Sequence, residues 1–177
     1  TIGIKPNRPE TGYGYIEIQD EFEDDTSSIQ IKPLKSFHEK PTIETAQRYY
    51  LQNKFLWNSG MFFWRLDTFI QNLMTYTPEI GNYIPKLEED LEENPFEVDL
   101  TKNKNILELY ANLPDISIDY ALMEKAERVV VERAIFTWED IGTYDALPRI
   151  YSVDNQNNYL NGNIETIDTR DSIIINQ

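Results

Sequence analysis

Three short polar clusters in this chain could do chemistry. Phe37-His38-Glu39-Lys40-Pro41 ends an extended stretch with an acid, a base and a proline. A carboxylate such as Glu39 accepts hydrogen bonds from sugar-type hydroxyls, and an adjacent ammonium such as Lys40 can neutralise a phosphate. The same pair also fits an exposed, charged strand end that contributes little. Trp138-Glu139-Asp140-Ile141-Gly142 sets an acidic pair after an apolar run. Asp140 suits a hard cation such as Mg2+, which takes one or two carboxylates beside phosphates and water. It equally suits the cap of the helix that follows. The third cluster, Asn58-Ser59-Gly60, interrupts the apolar run from Phe55 to Trp64. A buried amide without a partner costs about 1–3 kcal/mol, so something polar must meet Asn58. Either a β-bulge or turn satisfies it from the backbone, or a hydroxyl-rich ligand lies over Gly60.

Other polar residues carry weaker expectations. Gly14, inside a strand-like stretch, marks a close approach of backbone or ligand. Lys5 and Arg8 are candidate phosphate contacts or solvated surface. Asp119 reads as an acid in the first turns of a helix, favoured by the dipole and needing no catalytic role. His38 is the single histidine and alternates onto the face opposite Glu39. No nucleophile with a histidine partner can therefore be built, and no multi-histidine metal site.

These clusters need elements to hold them. Thr1 to Ile4 reads as a short strand, Ile16 to Ile18 as another, and Ile29 to Glu39 as extended despite Pro33. Thr42 is placed to cap a helix through Gln52. The run from Phe55 to Trp64 is expected to be a central strand buried on both faces. Leu66, Phe69, Ile70, Leu73 and Met74 share one helical face. Thr77-Pro78 starts a further helix that Pro85 should break or kink. A turn is expected at Asn94-Pro95 and a helix around Ile106 to Leu113. Ser117 is placed to cap a helix from Ile118 to about Ala126, and strands are expected at Arg128–Glu132 and Ala134–Trp138. Asn155 to Asn163 reads as a linker, and the isoleucine-rich end as the opening turns of a repetitive β structure. The order predicts an α/β domain with a mixed sheet over residues 1–154 and an appendage over 155–177. Ligands of such sheets sit on loops at strand C-termini.

Composition narrows the function. The chain has 177 residues and a net charge of −15, from 31 acids against 16 bases. A phosphate polymer or anionic membrane would be repelled overall, which argues against nucleic-acid and membrane partners. The acidic runs near Asp20 and Glu88 read as solvated. There is no cysteine, which is compatible with a reducing cytoplasm, the expected location. No apolar run approaches the roughly 20 residues that cross a bilayer.

Taken together, the segments resemble one family. Thr1-Ile-Gly-Ile-Lys-Pro, Pro9-Glu-Thr-Gly-Tyr-Gly-Tyr-Ile16, Phe37-His-Glu-Lys-Pro41, Trp57-Asn-Ser-Gly-Met-Phe62, Ser117-Ile-Asp-Tyr-Ala-Leu-Met-Glu-Lys-Ala126 and Trp138-Glu-Asp-Ile-Gly142 occur in this order. In that order they resemble the bacterial mannose-1-phosphate guanylyltransferases. The resemblance implies a Rossmann-like nucleotidyltransferase fold followed by a left-handed β-helix that starts near Gly162. It implies GDP-mannose and pyrophosphate made from GTP and mannose 1-phosphate with Mg2+. Gly14 would lie against the sugar nucleotide, Glu39 would bind sugar hydroxyls, Lys40 the sugar phosphate, Asn58 and Ser59 the mannose, and Asp140 the metal. The Gly-rich loop with Arg and Lys that opens these enzymes does not precede Thr1. The chain is thus expected to be the second, sugar-binding half of the catalytic domain, inactive alone. A non-catalytic sugar-phosphate-binding domain on the same fold is the alternative. An open edge near Thr1 to Ile4 is also expected, favouring self-association as a homo-oligomer.

Overall fold

A computed structural model describes residues 1–21, 29–93 and 103–176. It divides into two compact units, Thr1–Ile135 and Phe136–Gln177.

The first unit is built on five strands. They are β1 (Ile2–Ile4), β2 (Tyr15–Ile18), β3 (Ile31–His38), β4 (Phe55–Asn58) and β5 (Val130–Arg133). The sheet is mixed and runs β1-β4-β2-β3-β5, and pairing of β1 with β5 closes it into a barrel. Among these described strands only the β1–β5 pair is parallel. The edge expected at Thr1 to Ile4 is therefore not open. Gly3 faces Asn58 on one side and Arg133 on the other, and closure removes the unpaired backbone groups that an edge exposes. Ile16, Ile18, Phe37, Leu56, Met123 and Val131 form the core. Alternation along β2 sends Ile16 and Ile18 inward and Glu17 to the opposite face.

Helix α1 (Ile43–Tyr50) links β3 to β4. Thr42 caps it as expected, its hydroxyl accepting from the Thr45 N–H at 3.4 Å, and Glu44 lies in the first turn. Strands β3 and β4 are both antiparallel to β2 and hence parallel to one another, with β2 between them.

One expected strand is shorter than the sequence suggested and another is absent. The run from Phe55 to Trp64 is strand only to Asn58, and Phe63 is exposed. The Asn58 side-chain oxygen accepts from the Gly60 N–H at 3.1 Å, and Gly60 has φ +73°. That local turn ends pairing, because an Asx side chain substitutes for the ladder. Ala134–Trp138 is not a strand, and Phe136 belongs to the second unit. The helix expected from Ile118 to Ala126 is a π-helical turn over Asp119–Met123, in which the Glu124 N–H bonds to the Asp119 carbonyl. The Ser117 side chain does not cap it; its carbonyl accepts from the Ala121 N–H.

Helices α2 (Leu66–Tyr76), α3 (Pro78–Gly81), α4 (Ile84–Glu93) and α5 (Lys104–Ala111) complete the unit. Pro78 opens α3 and Pro85 lies at the start of α4, so the expected break is a new helix. The turn expected at Asn94-Pro95 and most of the acidic run after Asp20 lie outside the described residues.

In the second unit a 3-10 turn (Tyr144–Ala146) leads into α6 (Leu147–Ile150), followed by parallel strands β6 (Tyr159–Asn161) and β7 (Ile173–Ile175). Part of the asparagine-rich stretch read as a linker is thus strand. Asn158 is buried, donating to the Asp154 carboxylate and the Thr169 carbonyl and accepting from the Ser172 N–H.

Candidate functional site

The ends of β3 and β4 and the start of β2 meet beside Gly14. A methyl group on Gly14 would lie 2.5 Å from Glu39 Oε2, 3.2 Å from the Phe37 ring and 3.4 Å from Asn58 Cβ. The glycine therefore makes room for the Glu39 carboxylate, and Glu39 and Asn58 converge across it. The Gly14 carbonyl also accepts the Asn58 N–H at 2.8 Å, which ties the end of β4 to the residue before β2.

Asn58 is committed at both ends of its amide. Its oxygen serves Gly60, and its nitrogen donates to Asp119 Oδ1 at 3.0 Å. The turn expected here is realised, with the Asn58 oxygen satisfied by the Gly60 backbone, and a polar partner within the chain meets the amide nitrogen. That partner is a carboxylate 61 residues away, carried in by the π turn. Sequence reasoning missed it by treating Asp119 as a helical acid. The signal available was its place four residues before the apolar Met123, which is buried in the core.

Glu39 is held in an unfavourable state. Its side chain is only 12% exposed. Burial pushes its carboxyl above the ordinary value, and the charges of Asp119 and Glu124 push the same way, against Lys40. Lys40 Nζ stands 3.9 Å from Glu39 Oε1 on a largely exposed side chain. Its backbone has φ +42°, a left-handed conformation uncommon outside glycine, immediately before Pro41. Strain of this kind collects at functional sites.

The remaining candidates separate. The Ser59 hydroxyl donates to the Ile2 carbonyl at 2.7 Å and accepts from the Met61 N–H at 3.2 Å, fastening the chain after β4 to β1. Arg8 stacks over Trp57, with its guanidinium carbon 4.9 Å from the ring centroid, and pairs with Glu10 at 3.2 Å. His38 meets the Ser36 hydroxyl at 2.9 Å and lies against Tyr49, a structural placement. Asp140 belongs to the second unit. It is exposed, and the following 3-10 turn is preceded by Thr143, so Asp140 does not cap it. Its neighbour Glu139 accepts from Arg149 at 2.7 Å. Among the described residues the Asp140 carboxylate takes no hydrogen bond or ion pair, which leaves its oxygens open to a hard cation. One such carboxylate fits Mg2+, which completes its shell with phosphates and water. Among the described residues no group of three acids or histidines could hold a metal by itself.

Polar residues gathered at strand ends of an α/β unit mark a ligand site, and comparison supplies the class. The nucleotidyl transferase family matches residues 1–157, and the chain belongs to that family. Among curated relatives, a mannose-1-phosphate guanylyltransferase of Salmonella muenchen is 34% identical, covering 100% of this chain and 35% of its own length. One from Escherichia coli is 30% identical, covering 98% of this chain and 36% of its own length. The crystal structure of mannose-1-phosphate geranyltransferase from Thermus thermophilus superposes with a TM-score of 0.73 at 32% identity, covering 91% of this chain and 42% of that one. The chain thus spans about a third of the curated relatives it matches. Among the described residues no helix is long and apolar enough to cross a membrane.

Proposed function

We propose that this chain is the sugar-1-phosphate side of a mannose-1-phosphate guanylyltransferase, with the nucleotide side supplied by sequence it does not contain. The observation that carries the reading is the convergence of Glu39 and Asn58 across Gly14, with Lys40 at the rim. In the reaction of such an enzyme, a phosphate oxygen of mannose 1-phosphate bonds to the α-phosphorus of GTP. The bond to the bridging oxygen of the leaving pyrophosphate breaks in line. No covalent nucleophile is needed, so catalysis rests on positioning and charge neutralisation. Glu39 accepts sugar hydroxyls, Asn58 shapes the floor, and the Lys40 ammonium neutralises the sugar phosphate. Ser59 contributes by holding the turn beside Asn58. Mg2+, where bound, supplies further neutralisation of the phosphates, and Asp140 would be among its ligands. The parallel β6–β7 pair supports a β-helix that begins in the second unit. A cytoplasmic location accords with this role.

Titration calorimetry of the 177-residue chain tests it. Mannose 1-phosphate is expected to bind, and Lys40→Ala to weaken that binding. No pyrophosphate should be released from GTP and mannose 1-phosphate with Mg2+, since losing even one charge-stabilising donor costs about 3–4 kcal/mol. Release above background overturns the half-site reading; absence of sugar-phosphate binding overturns the assignment of the sugar side.

A further inference from the structure

Asp119 has an oxygen with nothing to do. Oδ1 accepts from Asn58, whereas among the described residues Oδ2 takes no hydrogen bond. The side chain is half-buried and rests on a turn anchored by the fully buried Ala121, Leu122 and Met123. The turn is π-helical, and such insertions occur frequently at functional sites because they re-aim one side chain. Asn58 then fixes the aim, since its amide has its oxygen locked to the Gly60 N–H and can only present nitrogen to Asp119.

Glu39 borders Gly14, as Asn58 does, and its carboxyl feels the charge of Asp119. Two carboxylates that repel one another are a poor arrangement for stability. They become a good one when hydroxyl groups donate to both, because each carboxylate then gains charge-assisted hydrogen bonds. A phosphate placed there would be repelled, whereas at Lys40 it would be attracted. Lys40 Nζ is 3.9 Å from Glu39 Oε1, so the site offers a cation for a phosphate beside carboxylates that accept hydroxyls.

We propose that Asp119 is a specificity-determining residue for the sugar, accepting a hydroxyl of the bound sugar 1-phosphate through Oδ2 while Asn58 holds Oδ1. This rests on the reading of the pocket as a sugar-1-phosphate site. It assigns to the Asn58 amide the job of positioning Asp119, and to Glu39 and Asp119 together the reading of neighbouring hydroxyls.

The experiment measures binding of mannose 1-phosphate and its 2-, 3-, 4- and 6-deoxy analogues by the 177-residue chain, unsubstituted and as Asp119→Asn. Asparagine keeps the size and an acceptor oxygen, and a matching thermal transition checks that the fold is retained. For the unsubstituted chain, one deoxy analogue is expected to bind about tenfold or more weaker than the parent, the range for a hydrogen bond to a charged group. In Asp119→Asn the parent should lose a similar factor and that analogue much less, so the discrimination at one hydroxyl collapses while the others persist. Equal affinity of both proteins for mannose 1-phosphate overturns the proposal, as does a uniform loss across all analogues, which marks a merely structural residue. If Asp119→Asn fails to fold, Asn58→Asp, which replaces the donor to Asp119 with a carboxylate, should collapse the same discrimination. Persistence of that discrimination overturns the proposal. Binding of none of the sugar phosphates by the unsubstituted chain is separate, and overturns the sugar-site reading beneath it.

Discussion

Two largely buried glutamates, one on β2 and one just past β3, meet opposite fates. Glu17, on β2, accepts from Lys35 and Lys54 at 2.9 Å each and from the Ser36 hydroxyl at 2.9 Å. Burial pushes its carboxyl upward, but hydrogen bonds from Lys54, Lys35 and Ser36 outweigh it and bring it to about 2. Glu39 is buried and feels the charges of Asp119 and Glu124, with only the exposed Lys40 at 3.9 Å to offset them, and stays above the ordinary value. The first glutamate is satisfied by the protein itself. The second is left wanting donors, and a site that must take up hydroxyls needs that deficit. Where a buried charge is fully paired the fold gains stability; where it is half paired, a ligand completes it.

The largest effect expected from breaking this contrast is at Glu17. Glu17→Ala should lower stability by about 3 kcal/mol, the linkage value for a carboxyl moved this far. Sugar-phosphate affinity should be unaffected. The native carboxyl titrates below its ordinary 4.5, so its stabilisation is complete above that pH and is lost as pH falls from about 4.5 to about 2. Urea midpoints across that window should fall steeply for the unsubstituted chain and flatten for the variant. Equal slopes would place the acid sensitivity elsewhere.

Asn58→Ala comes next and acts on the other region. It removes the amide that holds Asp119, and mannose 1-phosphate affinity should drop by about 1–3 kcal/mol in calorimetry, the cost of stranding a buried partner. An unchanged affinity would reduce the turn after β4 to a purely structural device.

Glu39→Gln should separate binding from stability in the opposite sense to Glu17. A carboxyl raised above its unfolded value penalises the ionised native state. The penalty is full above the folded value and fades as pH falls toward 4.5. Removing the charge should thus leave stability at neutral pH unchanged or higher by up to about 1 kcal/mol, while sugar-phosphate binding weakens. A clear loss of stability would mean that the Lys40 pair outweighs the burial and repulsion at Glu39.

Local patterns carried much of this fold into the sequence. The Thr42 cap, the two proline-opened helices and the alternation in β2 follow from propensity and steric rules that act within a few residues. The Glu39-Lys40, Asn58 and Gly14 cluster was also legible, from strand ends and from resemblance. What was not legible depends on distant partners. Glu17 alternates like a solvent-facing residue, and nothing near it in sequence announces Lys35 and Lys54. Barrel closure needs β1 to meet β5 from the far end of the unit. Asp119 takes its place in a π turn whose Leu122 and Met123 are buried, and local propensity does not announce such a turn. The aromatic run after Asn58 misled for a related reason: Phe62 and Trp64 pack against the core without being strand, and Phe63 is exposed, although all three count the same in an apolar run.

The smallest expected effect sharpens the comparison most, because it divides one residue into backbone and side chain. Lys40 has φ +42° and precedes Pro41, a combination that costs about 1 kcal/mol for a residue with a Cβ. Lys40→Gly should relieve it, partly offset by the extra freedom of glycine in the unfolded chain, for a net gain of about 0.5 kcal/mol. Lys40→Ala keeps the Cβ and should leave stability level, since the side chain is largely exposed and its ion pair at 3.9 Å is weak. Both variants lose the ammonium and should lose sugar-phosphate affinity to the same extent. Urea unfolding and calorimetry on the two proteins therefore decide separate matters. A stability gain confined to glycine means that the strand end holds a strained backbone in order to deliver the ammonium. Equal stability of the two variants means that the turn into α1 accommodates Lys40 at no cost. In that case the deficit at this site is one of charge alone, concentrated on Glu39.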